Sequence, residues 1–388
     1  MASPPTLITR QEIQTKLEDS ASGPVVFIFG AGASAGYTNT KNAYFRAPAV
    51  KELFDKEHKT VSDVLSRREH GTIARRLGYL NDRVQRGFKG DLEAYLSDLY
   101  ENNRDSDTTF ADILLFLEDI FFLASSQVSF DENHYVSLFN HISEIRRGRA
   151  FSYITFNYDT ILEKSYRFAD RDPVRRAIGF QTMANYYDIQ PAILKMHGSI
   201  NYRFVVDRRS DQSDALNSHL SYPGIFGLMM GNIPAEGVGV TSEVCLGLDD
   251  QKPVFLQKGA RVNPKHSPPT SEQFSIFNIP LMLIPVHEKI SPENNFFLSM
   301  IARAKKEIEA ARLIVAIGYN FADQAFLKAL GELTFADKNI ILVTLLQDPV
   351  AEMDAHPAWK NISTFWKDAS VKFFDGSGFG DFVSALVA

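Results

Sequence analysis

Apolar residues along this chain fall into two patterns. Short unbroken runs, bounded by glycine, proline or polar residues, read as strands buried on both faces. They are Val25–Phe29, "FSYITF" from Phe151, "AILKM" from Ala192, "LMLIPV" at 281–286, "RLIVAIG" at 312–318, "NIILVTLL" at 339–346 and a short run at Val371–Phe374. Other stretches repeat apolar residues at three- and four-residue steps and read as helices. These are 8–19, with Thr9 as cap and Ile13 and Leu17 in register, then "TILEKSYRFA", 293–311, 322–334 and the terminal "GFGDFVSALVA".

Two segments depart from this alternation. From about Pro48 to Arg147 the pattern is helical nearly throughout, in "APAVKELFDKEH", "GDLEAYLSDLYENN", "TTFADILLFLEDIFFLASS" and "NHYVSLFNHISEIRR". Residues 203–278 are rich in Gly, Pro, Ser, Asp and Asn with short apolar runs, and read as an irregular insertion or lid. The expected fold class is α/β: a Rossmann-like parallel sheet with helices on both faces and a large helical insertion at 48–147, the whole of 1–388 forming one domain.

Composition narrows the function classes. Hydrophobic content of 45% and charged content of 23% are those of an ordinary globular chain. A net charge of −6 argues against direct nucleic-acid binding by a broad basic surface. The single cysteine, Cys245, excludes an intrachain disulfide framework and a four-cysteine zinc site, and a reducing cytoplasm is the expected compartment. The nine histidines show no zinc-ligand spacing, so no metal is expected. The most apolar helical stretch is interrupted by Asp112, Glu118 and Asp119, so no membrane span is expected.

Candidate chemistry lies on four turns that follow strands. In an open parallel sheet these turns share the carboxyl edge, where ligands bind. The first, "GAGAS", places Gly30, Gly32 and Ala35 at the small positions of a dinucleotide-binding turn, a pattern that simple packing also produces. A dehydrogenase would follow it with a second strand ending in an acidic residue, but "VKELFDKEHK" stands there and reads as helix. In "NYD", Asn157 is read either as satisfying the turn or as orienting a ribose hydroxyl or a water. Asp159 is read either as a helix cap or as a site residue. The third turn, "HGS", carries His197, read either as a structural or solvated histidine or, because imidazole titrates near neutrality, as a general base. The fourth, "GYNFAD", offers polar groups for an adenosine ribose or a plain helix start at Asp323.

Taken in order, these four turns resemble the sirtuin-like NAD-consuming domains, particularly their bacterial antiphage-defence branch. The resemblance implies an NAD glycohydrolase that splits NAD, as substrate, into nicotinamide and ADP-ribose, depleting NAD in abortive infection. It implies catalytic roles for Asn157, supported by Asp159, and for His197 as base. Gly30, Ala31, Gly32 and Ser34, with Gly198 and Ser199, would line the cofactor, with Ala31, Gly32 and Ser34 along its pyrophosphate and ribose. Gly318, Asn320 and Asp323 would fall on the adenosine side. Protein-deacylating sirtuins carry a four-cysteine zinc ribbon after the HGS turn, which this chain cannot build, and "GYTNTKNAYFRAP" is longer than their corresponding segment. A deacylase or ADP-ribosyltransferase, and a non-catalytic NAD- or ADP-ribose-binding module, remain alternatives.

Because an unregulated NAD hydrolase would kill its host, the chain is expected to be a homo-oligomer controlled by its assembly. By the same resemblance, a partner such as a HerA-type ATPase or an Argonaute-like protein is expected. The segment 48–147 is the candidate assembly surface, since Phe116, Phe121 and Phe122 do not share one helix face; a core between neighbouring helices is the alternative.

Overall fold

The computed structural model describes residues 4–19, 23–35, 46–49, 52–53, 55, 57–66, 106–130, 133–145, 150–169, 181–182, 193–207, 238–240, 274–283, 295–346, 348, 352–376 and 378–387. Eleven strands occur among them: β1 (Thr6–Ile8), β2 (Val25–Phe29), β3 (Phe151–Thr155), β4 (Gln181–Thr182), β5 (Ile193–Lys195), β6 (Gly198–Asp207), β7 (Val238–Val240), β8 (Phe274–Met282), β9 (Leu313–Ile317), β10 (Asn339–Val343) and β11 (Ser370–Phe374). Seven form one sheet in the order β1-β11-β10-β9-β2-β3-β5. Every pairing in it is parallel.

The alternation of side chains on β2 explains its unbroken apolar run. Val26 and Ile28 enter one core, beneath helices Asn295–Ala310, Gln324–Leu330 and Pro357–Phe365. Val25, Phe27 and Phe29 enter the other, beneath helices Arg10–Glu18, His134–Ile145 and Phe379–Val387. A strand covered on both faces has no polar side to show. From β2 the chain builds outward through β3 and β5, then returns to β9 and builds the other way through β10 and β11. The order therefore reverses between β2 and β9, the position where open parallel sheets bind ligands.

Local signals set several element ends. Thr9 closes a full capping box with Glu12 at the start of helix Arg10–Glu18. Asp323 caps helix Gln324–Leu330 through Phe326 N at 2.9 Å. His356 caps helix Pro357–Phe365, with proline in the first turn.

Some expectations need correction. β1, only three residues long, adds a parallel edge strand beside β11 that the apolar pattern did not reveal. The run at 281–286 was expected to join the parallel sheet. Its described residues instead end β8, which pairs antiparallel with β6 in a second sheet of order β4-β7-β6-β8. An apolar run reports burial but not which sheet it joins. This second sheet also places strands within 203–278, where the sequence suggested irregular structure; most of that segment lies outside the described residues.

Within 48–147, helices Lys59–Leu65, Ser106–Ser126 and His134–Ile145 are present. The described part of "VKELFDKEHK" forms three-residue turns, with Asp55 N on Glu52 O and His58 N on Asp55 O. "GDLEAYLSDLYENN" lies outside the described residues. Phe116 packs with Val61, Val64 and Ile120, while Phe121 enters the core that holds Leu117, and Phe122 is packed against that same core. These aromatics are divided between internal clusters, so the observation that nominated an assembly surface is accounted for by packing within the chain. Among the described residues no helix is long and apolar enough to cross a membrane.

Candidate functional site

The turns after β2, β3, β5 and β9 meet at one edge because their strands are adjacent and parallel. Their closest approach is between backbones. Gly30 N donates to Ile317 O at 3.0 Å and Gly32 N to Gly318 O at 3.1 Å. Gly318 has φ +60, and a Cβ there would lie 2.3 Å from Ala33 N. Only glycine satisfies both that conformation and that contact. The small residues of the first turn are thus required by the fourth turn lying against them, and the Gly32 amide is already engaged.

Asn157 forms the centre of the site. It leaves β3 on a turn whose backbone is fixed by Phe156 N on Phe29 O and by Asn157 N on the Thr155 hydroxyl, at 3.0 and 3.1 Å. Its Nδ2 donates to Gly30 O and to Ser34 Oγ, each at 3.0 Å. A carbonyl oxygen only accepts, so the Gly30 contact fixes which end of the carboxamide is nitrogen. Asn157 Oδ1 is buried and has no hydrogen-bond partner among the described residues.

Beneath Asn157 lies a buried polar group that sequence reasoning only partly found. Ser34 Oγ meets Tyr135 Oη at 3.2 Å, and the Ser34 hydroxyl acts to lower the Asp159 pKa. Tyr135 is positioned by Asn133, whose Oδ1 accepts from Tyr135 N and Val136 N at the start of helix His134–Ile145. Asp159 Oδ1 accepts from Ile161 N at 3.0 Å, the first amide of the following helix, Ile161–Ala169, while Thr160 O accepts the first bond from within it. Lys195, fully buried at the end of β5, pairs with Glu163 Oε1 at 2.8 Å and donates to Asp159 O. Burial raises the pKa of both Asp159 and Glu163, and the Lys195 charge opposes that rise in each. Burial also pushes the Tyr135 hydroxyl well above its ordinary value, with the Asp159 charge adding to it.

The third and fourth turns join through side chains. His197 Nε2 lies 2.7 Å from Asp323 Oδ2. Phe156 meets the His197 ring edge-on at 5.1 Å and stacks on Tyr319 at 4.1 Å. Ser199 Oγ donates to Tyr158 O at 3.1 Å, which ties the start of β6 to the Asn157 turn. Gly198 takes φ +75 at the same bend. Asn320 Oδ1 accepts from Ala322 N at 3.2 Å within its own turn.

The structure therefore gathers the sequence-nominated residues into two groups. Ser34, Asn157 and Asp159 form one, with Gly30 in contact; His197 and Asp323 form the other, with Phe156 and Tyr319 beside them. Gly32 and Gly318 serve the backbone contact between turns. Ala31 begins the short helix Ala31–Ala35 beside it. Lys195, Glu163 and Tyr135 escaped sequence reasoning. "ILEK" and "AILKM" look like ordinary amphipathic segments, and no local signal says that their charges are buried together. Among the described residues no group of three or more His, Cys, Asp or Glu is arranged to hold a metal ion. Cys245 lies outside the described residues.

The family model described as SIR2-like domain matches residues 152–231, which contain Asn157, Asp159, His197, Gly198 and Ser199. The chain is sirtuin-like across that segment. No curated protein matches it. Solved structures similar to it include a Sir2 homologue–NAD complex, at 11% identity and TM-score 0.45, covering 100% of this chain and 95% of that one. A mutant Sir2 homologue in complex with ADP-ribose has 11% identity and TM-score 0.39, covering 97% and 94%. Sir2Tm bound to a propionylated peptide has 12% identity and TM-score 0.39, covering 96% and 95%.

Proposed function

We propose that the protein is an NAD glycohydrolase, converting NAD and water into nicotinamide, ADP-ribose and a proton. The observation that carries this reading is Asn157. Its nitrogen is committed to Gly30 and Ser34, while its oxygen is buried without a partner among the described residues. A buried acceptor held on a rigid strand end calls for a donor, because leaving it unpaired costs about 1–3 kcal/mol. A ribose hydroxyl or an attacking water supplies that donor.

In the reaction, water adds to the anomeric carbon of the nicotinamide ribose as the bond to the nicotinamide nitrogen breaks. The bonding pair leaves with nicotinamide. Asn157 Oδ1 orients the hydroxyl or water, and His197 on the neighbouring turn takes up the released proton. The cationic ribose formed on the way is favoured by carbonyl and carboxamide oxygens already held in place. NAD depletion in response to phage is the biological setting that the sirtuin-like resemblance suggests, and a homo-oligomer under partner control accompanies it.

The test is incubation of the purified chain with NAD, with and without an acylated peptide. Free ADP-ribose formed without peptide supports hydrolysis. Turnover that requires peptide indicates a deacylase or transferase. Binding without turnover indicates a non-catalytic module.

A further inference from the structure

The fourth turn is held in a conformation that simple chain reversal does not require. Gly318 and Phe321 both have positive φ, +60 and +54. A bulky residue in this region is strained and persists only where its surroundings hold it. Phe321 is fully buried, edge-on to Trp366 at 5.4 Å and against Tyr319 at 4.7 Å. Two residues later, the Asp323 carboxylate is used at both oxygens. Oδ1 accepts from Phe326 N at 2.9 Å, and Oδ2 faces His197 Nε2 at 2.7 Å. The side chains of His197 and Asp323 are 13% and 9% exposed, so the pair is largely shielded from water.

We propose that Asp323 is the positioning residue of His197, fixing the ring orientation and holding the neutral imidazole with its proton on Nε2. The inference rests on the reading of His197 as the proton acceptor. A carboxylate accepts hydrogen bonds and does not donate them, so contact with Asp323 selects the tautomer protonated at Nε2 and makes Nδ1 the basic nitrogen. When His197 takes a proton, the adjacent carboxylate stabilises the imidazolium; Asp323 stays ionised and transfers nothing. The β9 turn thereby serves the histidine of the β5 turn across two intervening strands. This is a different task from contact with an adenosine ribose.

Asp323→Asn tests this, because asparagine is an equally good helix cap and preserves the bond to Phe326 N. Its amide presents a donor to Nε2 and so favours the opposite tautomer. Ring nitrogen–proton correlation spectra, recorded where His197 is neutral, are expected to show Nε2–H in the parent and Nδ1–H in Asp323→Asn. With NAD as substrate, kcat is expected to fall at least ~100-fold with KM within about threefold, the pattern of a base held in the wrong tautomer. A parental tautomer in Asp323→Asn, or kcat within threefold of the parent, overturns the proposal. If the parent does not turn over NAD, the glycohydrolase reading fails, while the spectra still decide whether Asp323 sets the tautomer.

Discussion

A Cβ on Gly30 would lie 2.4 Å from the carbonyl oxygen of Gly318. The turn after β2 and the turn after β9 are thus in backbone contact where the strand order reverses. The glycines that suggested a phosphate-binding turn are demanded first by this contact. The turn bearing Asn157 is carried beside them, since its carboxamide reaches the Gly30 carbonyl.

Gly30→Ala is therefore expected to destabilise the fold by about 1–3 kcal/mol through forced backbone displacement. At Gly32 a Cβ meets Gly318 at 3.0 Å, a contact that smaller shifts relieve. Urea midpoints should fall further for Gly30→Ala than for Gly32→Ala. Equal or reversed losses would disprove the close-contact account.

Asn157→Asp should lose more stability than Asn157→Ala. Alanine forfeits two hydrogen bonds, about 0.5–1.5 kcal/mol each, and Gly30 O still accepts from Ala33 N. Aspartate instead presents a carboxylate oxygen to the Gly30 carbonyl, where a donor is needed. Thermal unfolding of the two variants checks the carboxamide orientation on which the site depends.

Lys195→Met is expected to cost about 3–5 kcal/mol, because it strands the Glu163 carboxylate near Asp159 without its cation. The double variant with Glu163→Leu should lose less than the sum of the single losses. A double-mutant cycle by chemical denaturation measures the difference; strict additivity would show that the pair does not act as a unit.

Outside the site, Arg46 pairs with Glu52 at 2.6 Å. The hydrogen bond from Arg46 holds the Glu52 pKa down at about 2, against an ordinary 4.5. A folded pKa below the unfolded one gives stability that is present above the unfolded value and lost as pH falls toward the folded one. Stability should therefore decline on acidification from about 4.5 toward 2, and Glu52→Gln should flatten that part of the profile. Urea midpoints across this range provide the measurement, and an unchanged acid slope would count against the pair.

Much of this architecture was legible because β2, β3, β9 and β10 are buried on both faces, which forces continuous apolar runs such as "VVFIF" and "NIILV". β1 was not, since "TLI" carries too few residues to show a period. The antiparallel pairing of β6 with β8 was hidden because pairing partners leave no local mark. In the candidate site, Asn157 and His197 were nominated because they stand at strand exits. Asp323 was placed on the adenosine side by the resemblance; its contact with His197 was not legible, since a sequence orders the turns along an edge without saying which side chains meet across it. Lys195 was missed because a buried lysine looks like any other until its partners are known.

The most direct test of the central claim is product analysis after prolonged incubation of the purified chain with NAD, alongside folded Asn157→Ala and His197→Ala variants. The account predicts nicotinamide and ADP-ribose in equal amounts without any acylated peptide, with the rate reduced at least ~100-fold in each variant. Undiminished NAD with the parent chain, turnover only when an acylated peptide is supplied, or parental rates in either variant would contradict it.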